Sequence, residues 1–171
     1  MNRNKNSTRD LVLLAMYAAL FMAVELIQNQ FGLFKMPQGG SLGLSSVILL
    51  LASYHLGVKK GVAISLISVL LQFLTGKMYL EAGIVGFLLD YVLAFGIYGI
   101  ASSVPNVKWF YPGVIVTNTI RLAAHTLAGT LVWDVPLWPS LGYNATYMIP
   151  TMIVGIILVP LINERLKVHN I

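Results

Sequence analysis

Residues 84–103, IVGFLLDYVLAFGIYGIASS, form an apolar run of twenty with a single charged side chain, Asp90. A helix rises 1.5 Å per residue, so about twenty residues cross a hydrocarbon core roughly 30 Å thick. The run predicts a transmembrane helix. Further apolar stretches lie on both sides of it, near 11–30, 42–57, 61–74, 109–133 and 146–166. The sequence therefore predicts an all-α integral membrane protein. Its expected architecture is a six-transmembrane-helix bundle forming one domain over residues 1–171. The second and third spans are short and joined by the tight turn at Val58-Lys59-Lys60-Gly61, as in a hairpin packed inside the bundle.

Composition agrees. Of 171 residues, 57% are hydrophobic and 10% charged, too apolar a balance for a soluble domain of this length to hide. There is no cysteine, so neither a disulfide framework nor a thiolate metal site is available. The net charge of +5 does not point to nucleic acid, because the cations sit in short loops and tails. Arg3, Lys5 and Arg9 precede the first apolar stretch, as in a signal peptide. That stretch is long enough to span and runs into the polar Gln28-Asn29-Gln30 without a small-residue cleavage site, so it reads as a retained helix.

With the N-terminus inside, Arg3, Lys5, Arg9, Lys59, Lys60, Lys108, Arg165 and Lys167 fall on the cytoplasmic side. Only Lys35 and Lys77 fall outside. This positive-inside bias predicts cytoplasmic N- and C-termini in a multi-pass protein of the cell membrane. Tyr79, Trp109, Tyr111, Trp133, Trp138 and Tyr143 lie near expected helix ends, as an interfacial belt requires. Pro136, Pro139 and Gly142 mark the last outer loop as irregular, with the last helix starting near Asn144 and Thr146.

Ionisable side chains inside a bilayer are costly and need a reason. Four stand out: Glu25, Asp90, Arg121 and His125. In the expected orientation Asp90 and His125 each lie about eight residues, roughly 12 Å, below the outer surface, with Arg121 one turn deeper. Thr117, Arg121 and His125 are spaced i, i+4, i+8 and share a helix face that is expected to end under Trp133. Asp90 and Tyr91 face them at similar depth. The set reads as a ligand pocket open to the outside. The plainer reading of Asp90 and Arg121 is a structural ion pair, that of His125 a structural hydrogen-bonder, and that of Trp133 a member of the belt. Glu25 reads as reaching up to the interface. Ala15, Ala19 and Ala23 recur every four residues, a small-residue stripe suited to close helix approach, either within the bundle or against a partner.

Other chemistries find no motif. Gly76-Lys77 is preceded by Leu71 where a phosphate-binding loop needs glycine and followed by Met78 where it needs Ser or Thr. No H-E-x-x-H, G-x-S-x-G or cysteine nucleophile is present. The expectation is a chain with no catalytic residues, no metal and no ATPase of its own.

In order along the chain, Met36-Pro37-Gln38-Gly39-Gly40-Ser41, Leu89-Asp90-Tyr91, Arg121-x-x-x-His125 with Gly129 and Trp133, and Tyr143-Asn144-x-x-Tyr147-Met148-x-Pro150 resemble the substrate-binding subunits of energy-coupling factor transporters, thiamine-specific type. The resemblance covers nearly the whole chain. It implies capture of thiamine from outside in a deep pocket closed by the first outer loop. It also implies partnership with a transmembrane coupling subunit and two ATPase subunits, which use the ATP, with Ala15, Ala19 and Ala23 as the docking stripe. Ligand-binding residues implied or read are Asp90, Tyr91, His125, Trp133, Asn144, Tyr79 and Arg121, the last orienting Asp90 without touching ligand. Departures are Asp90 where some members carry Glu, and Phe31 and Phe34 in place of a loop tryptophan. A thiamine precursor or another vitamin therefore stays open as ligand. So does an intramembrane enzyme using Asp90 and His125 as an acid/base pair.

Overall fold

The computed structural model describes residues 3–32, 35–37, 39–75 and 78–168. Phe34, Gln38, Gly76 and Lys77, and the side chains of Arg3, Lys5 and Lys167, lie outside the described residues. Among the described residues the chain is helical, with no strand. Its helices are α1 (Arg3–Phe31), α2 (Ser46–Leu56), α3 (Val58–Leu74), α4 (Leu80–Ser103), α5 (Pro112–Val132) and α6 (Leu137–Val168). Successive helices run antiparallel, so residues 39–45, 78–79 and 133–136 gather at one end of the bundle.

Three segments are long and apolar enough to cross a membrane: Thr8–Phe31, Leu80–Ser103 and Leu137–Leu166. The others fall short for different reasons. α2 is apolar but has 11 residues, and α3 has 17. α5 has 21 residues, but Thr117, Asn118, Arg121 and His125 interrupt its apolar character. The outside of the bundle is nevertheless greasy. Leu11, Leu70, Ile84, Leu131 and Ile157 are all more than half exposed, an apolar exterior that water would not tolerate over such an area. Inside, Phe21, Leu49, Leu50, Ile64, Tyr98, Val114 and Val159 are fully buried.

Helix α1 begins at Arg3 and not near 11, α2 at Ser46 and not near 42, α4 at Leu80 and not near 84, and two further starts depart with more consequence. α3 starts at Val58, so Lys59 and Lys60 lie in its first turn, and Gly57 alone reverses the chain at φ 79°. Lys60 Nζ meets Asp10 Oδ1 at 2.6 Å, pinning α3 to α1. α6 starts at Leu137, so residues 137–145 are helix and not irregular loop. Pro139 falls in the first turn, where no backbone N–H is needed, and it does not break the helix.

α4 is regular only in pieces. Leu80–Ala82 is 3₁₀, Gly83–Phe87 α, Leu88–Leu93 π, Ala94–Gly96 α and Ile97–Ser103 3₁₀. The widened π turn holds Asp90 and Tyr91, a position such turns often take at functional sites. At the far end Gly99 lets α4 touch α3: a Cβ there would lie 2.4 Å from the Cα of Val62. Gly99→Ala is expected to cost about 1–3 kcal/mol by forcing the two backbones apart. A thermal melt of the detergent-solubilised variant reads this as a lowered midpoint.

Candidate ligand-binding site

The π turn of α4 and the polar face of α5 meet in a chain of hydrogen bonds. Asp90 Oδ1 lies 2.6 Å from His125 Nδ1. His125 Nε2 accepts from Arg121 Nε–H at 3.1 Å, so Nδ1 is the protonated nitrogen and donates to the carboxylate. Arg121 Nη1 donates to Tyr98 Oη at 3.1 Å, and Tyr98 passes its own proton to Asn118 Oδ1 at 2.8 Å. The guanidinium also lies over the Phe95 ring, 4.3 Å from its centroid, and 5.4 Å from that of Tyr98.

This arrangement refines the expected pairing. Arg121 does not meet Asp90; His125 stands between them. The positive charge of Arg121 rests on two aromatic faces and two neutral acceptors. Asp90 spends one oxygen on His125, and its other oxygen has no hydrogen bond among the described residues. The cluster carries one anion and one cation, but they are held apart, and the anion is the partly exposed member, at 24% for its side chain.

α6 closes the other side. The Tyr147 ring lies 6.1 Å from the His125 ring and 6.2 Å from that of Tyr143. Its hydroxyl donates to Asn144 Oδ1 at 2.5 Å, and Asn144 Nδ2 donates to the Ser140 carbonyl at 2.9 Å. Asn144 is buried, two turns into α6, because that helix begins earlier than the sequence suggested. Over these groups runs the connection between α1 and α2. A Cβ on Gly40 would fall 2.3 Å from the Tyr147 ring, and one on Gly43 would fall 3.5 Å from Arg121 Nη1. Gly43 N–H donates to Thr151 Oγ1 at 2.9 Å.

The remaining expected residues divide. Tyr91 makes no hydrogen bond to the cluster among the described residues: its hydroxyl accepts from the Tyr79 backbone N–H at 2.9 Å, and its ring stacks on Phe87. Tyr79 is exposed, and its ring edge faces Gly39, at 3.4 Å from a Cβ there. Thr117 turns its hydroxyl back onto the Gly113 carbonyl and has no hydrogen bond outside its helix among the described residues. Trp133 stands 48% exposed at the end of α5 and is not joined to the cluster. Twelve residues separate it from Arg121, and at about 100° each that is about 120° around the helix, away from the polar face. Glu25 does not reach up to an interface; it accepts from Ser45 Oγ at 2.6 Å. Ala15, Ala19 and Ala23 are exposed on the outside of α1, clear of the bundle interior.

Sequence reasoning missed Phe95 and Tyr98. Their signal was there: they follow Asp90 on α4 and lie one 3₁₀-like turn apart, opposite Arg121. Gly40 is the tightest point of the covering connection. Gly40→Ala is expected to lift that connection off Tyr147 and weaken ligand binding by about tenfold, checked by titration beside an unchanged thermal midpoint.

The family model described as thiamine transporter protein matches residues 11–170. Thiamine transporter ThiT of Bacillus subtilis (strain 168) is 31% identical over 175 residues, covering 90% of this chain and 89% of that protein. No solved structure matches the chain. The chain belongs to the thiamine transporter protein family.

Proposed function

We propose that this member of the thiamine transporter family captures thiamine from outside the cell between α4, α5 and α6. It then delivers the vitamin as the substrate-binding subunit of an ATP-driven energy-coupling factor transporter. In this reading all six helices span the cell membrane, with both termini cytoplasmic. The eight-to-two bias of cations at helix ends and in connections and the apolar exterior support it. A transmembrane coupling subunit and two ATPase subunits complete the transporter, and ATP is consumed by them.

The observation that carries the reading is the half-used carboxylate of Asp90, bonded to His125, whose ring lies 6.1 Å from that of Tyr147. Thiamine brings a permanently cationic thiazolium ring and a hydrogen-bonding aminopyrimidine. A carboxylate offsets the cation and aromatic faces stack on it, each face contributing about 0.5–2 kcal/mol. Amide and phenol groups such as Asn144 and Tyr147 supply polar partners for the aminopyrimidine. Catalysis by the Asp90–His125 pair is disfavoured on geometry. A general base needs an open nitrogen, and His125 Nε2 already accepts from Arg121.

The test is thiamine titration of the purified protein, followed by intrinsic tryptophan fluorescence and calorimetry. Saturable binding with Kd below about 1 μM, or about 8 kcal/mol, is expected. No binding up to about 1 mM would sink the assignment. For the partnership, Ala19→Leu places a bulky side chain on the exposed stripe of α1. It should leave thiamine binding unchanged and cut cellular uptake by about tenfold or more, because close helix approach is lost. Uptake that survives the change removes the docking role of that face.

A further inference from the structure

The connection over the site is held on two edges. Its inner edge is the one already described, Gly40 against Tyr147 and Gly43 against Thr151 and Arg121. Its outer edge is tied to α1 by side chains that sequence reasoning took for the polar end of a span. Gln28, 3% exposed, donates from Nε2 to Ser41 Oγ at 3.1 Å and accepts at Oε1 from the Leu44 N–H at 2.8 Å. One turn earlier Glu25 Oε2 accepts from Ser45 Oγ at 2.6 Å, while its Oε1 accepts from Asn29 Nδ2 at 3.2 Å. Residues 41–45 therefore form a strap, clipped to α1 at three successive points and lying on the ligand cluster with its other side.

These clips are specific in kind. Leu44 precedes the first turn of α2, so its N–H meets no helical carbonyl and is shared between the Leu42 carbonyl at 3.0 Å and the buried Gln28 amide at 2.8 Å. Losing the Gln28 acceptor leaves that N–H only the Leu42 carbonyl within the strap and removes a tie between α1 and the strap, so opening becomes easier. Neither Gln28 nor Glu25 makes a hydrogen bond to Asp90, His125, Arg121 or Tyr147 among the described residues.

We infer that Gln28 and Glu25 are positioning residues that set how long a bound ligand is retained, by holding the strap of residues 41–45 closed over Tyr147 and Arg121. The inference rests on the proposed reading of that cluster as the thiamine site. A closed strap slows escape more than entry, since most differences among related complexes lie in dissociation. Gln28→Leu, nearly isosteric, is expected to speed thiamine dissociation by about 10–100-fold while association changes by less than about threefold. Glu25→Gln is expected to act in the same direction and more weakly, because an amide still accepts from Ser45.

The chain has no cysteine, so a single introduced thiol reports local opening cleanly. Met36 precedes the strap, and its sulfur lies 3.8 Å from Thr146 Oγ1 on α6. Thiol labelling of Met36→Cys should quicken in the Gln28→Leu background, without and with thiamine. Labelling of Ser103→Cys, exposed at the far end of α4, should not change. If Gln28→Leu does not fold, Ser45→Ala removes one clip with little change in volume and carries the same expectations. Unchanged dissociation and unchanged Met36→Cys labelling overturn the inference alone, with the thiamine reading intact. So does quickening at both reporters with a lowered thermal midpoint, which marks general loosening. Wild-type protein that binds no thiamine overturns the reading of the cluster and the inference with it.

Discussion

Asp90→Asn is expected to weaken thiamine binding by about 100-fold or more while leaving the thermal midpoint of the unliganded protein nearly unchanged. The substitution keeps shape and keeps an acceptor for His125 Nδ1–H, so the bond that positions the imidazole survives. What is lost is the one anion of the cluster. Arg121 stays behind with its positive charge, and the site then presents a net cation to a cationic ligand. Removing one member of a buried, hydrogen-bonded charge pair typically costs 2–5 kcal/mol or about 30- to several-thousand-fold in affinity. A neutral analogue with a thiophene ring in place of the thiazolium separates charge from shape. Wild type should prefer thiamine over that analogue, and Asp90→Asn should lose most of the preference. Titration of both ligands against both proteins checks this, and an undiminished preference would count against Asp90 as the counter-ion.

Arg121→Leu is expected to show the opposite pattern. Arg121 is 7% exposed, and its guanidinium donates to His125 Nε2 and Tyr98 Oη while lying over Phe95. Its loss leaves the His125 nitrogen without a donor and removes a cation from two aromatic faces. A loss of about 2–4 kcal/mol of stability follows. Ligand affinity should fall little or rise, since a like charge near the bound cation has gone. Arg121→Lys restores the charge but not the fork, because one ammonium cannot meet both acceptors in the same geometry. It should recover less than half of the lost stability. Thermal melts of the three proteins, with and without thiamine, separate the two effects. A variant with wild-type stability would remove Arg121 from its bracing role.

The helical class was legible because length and apolarity translate directly into membrane-crossing capacity, and the family resemblance rested on motifs in order along the chain. The gathering of Asp90, Arg121 and His125 was legible too, since depth can be counted residue by residue along antiparallel helices. Who bonds whom was not. Spacing puts Arg121 and His125 on one face, but only the widened turn of α4 decides that Asp90 meets the imidazole first. That turn carries no clear sequence mark. The start of α6 was missed because Pro139 and Gly142 were read as breakers, when a first-turn proline fits a helix. Trp133 was misplaced by treating steps of four as returning to the same face, although each step drifts about 40°. Gln28 was read as the polar end of a helix, and nothing local reveals that its partners lie on the far side of a loop.

The unequal apolar character of the helices bears on how the protein reaches the bilayer. An insertion machinery that weighs each emerging segment accepts α1, α4 and α6 on their own merit. In the proposed six-span arrangement α2 and α3, short and separated by Gly57 alone, enter as a pair. α5 carries Arg121, and an arginine near the middle of a span opposes entry by about 3 kcal/mol. α4 is made before it and already displays Asp90, Phe95 and Tyr98, the groups that receive the polar face of α5. In the proposed six-span arrangement, the bonds that join α4 to α5 thus offer the handhold by which the fifth helix is drawn in. For variants that strip this handhold, the earliest quantity to change is the amount of protein found in the membrane.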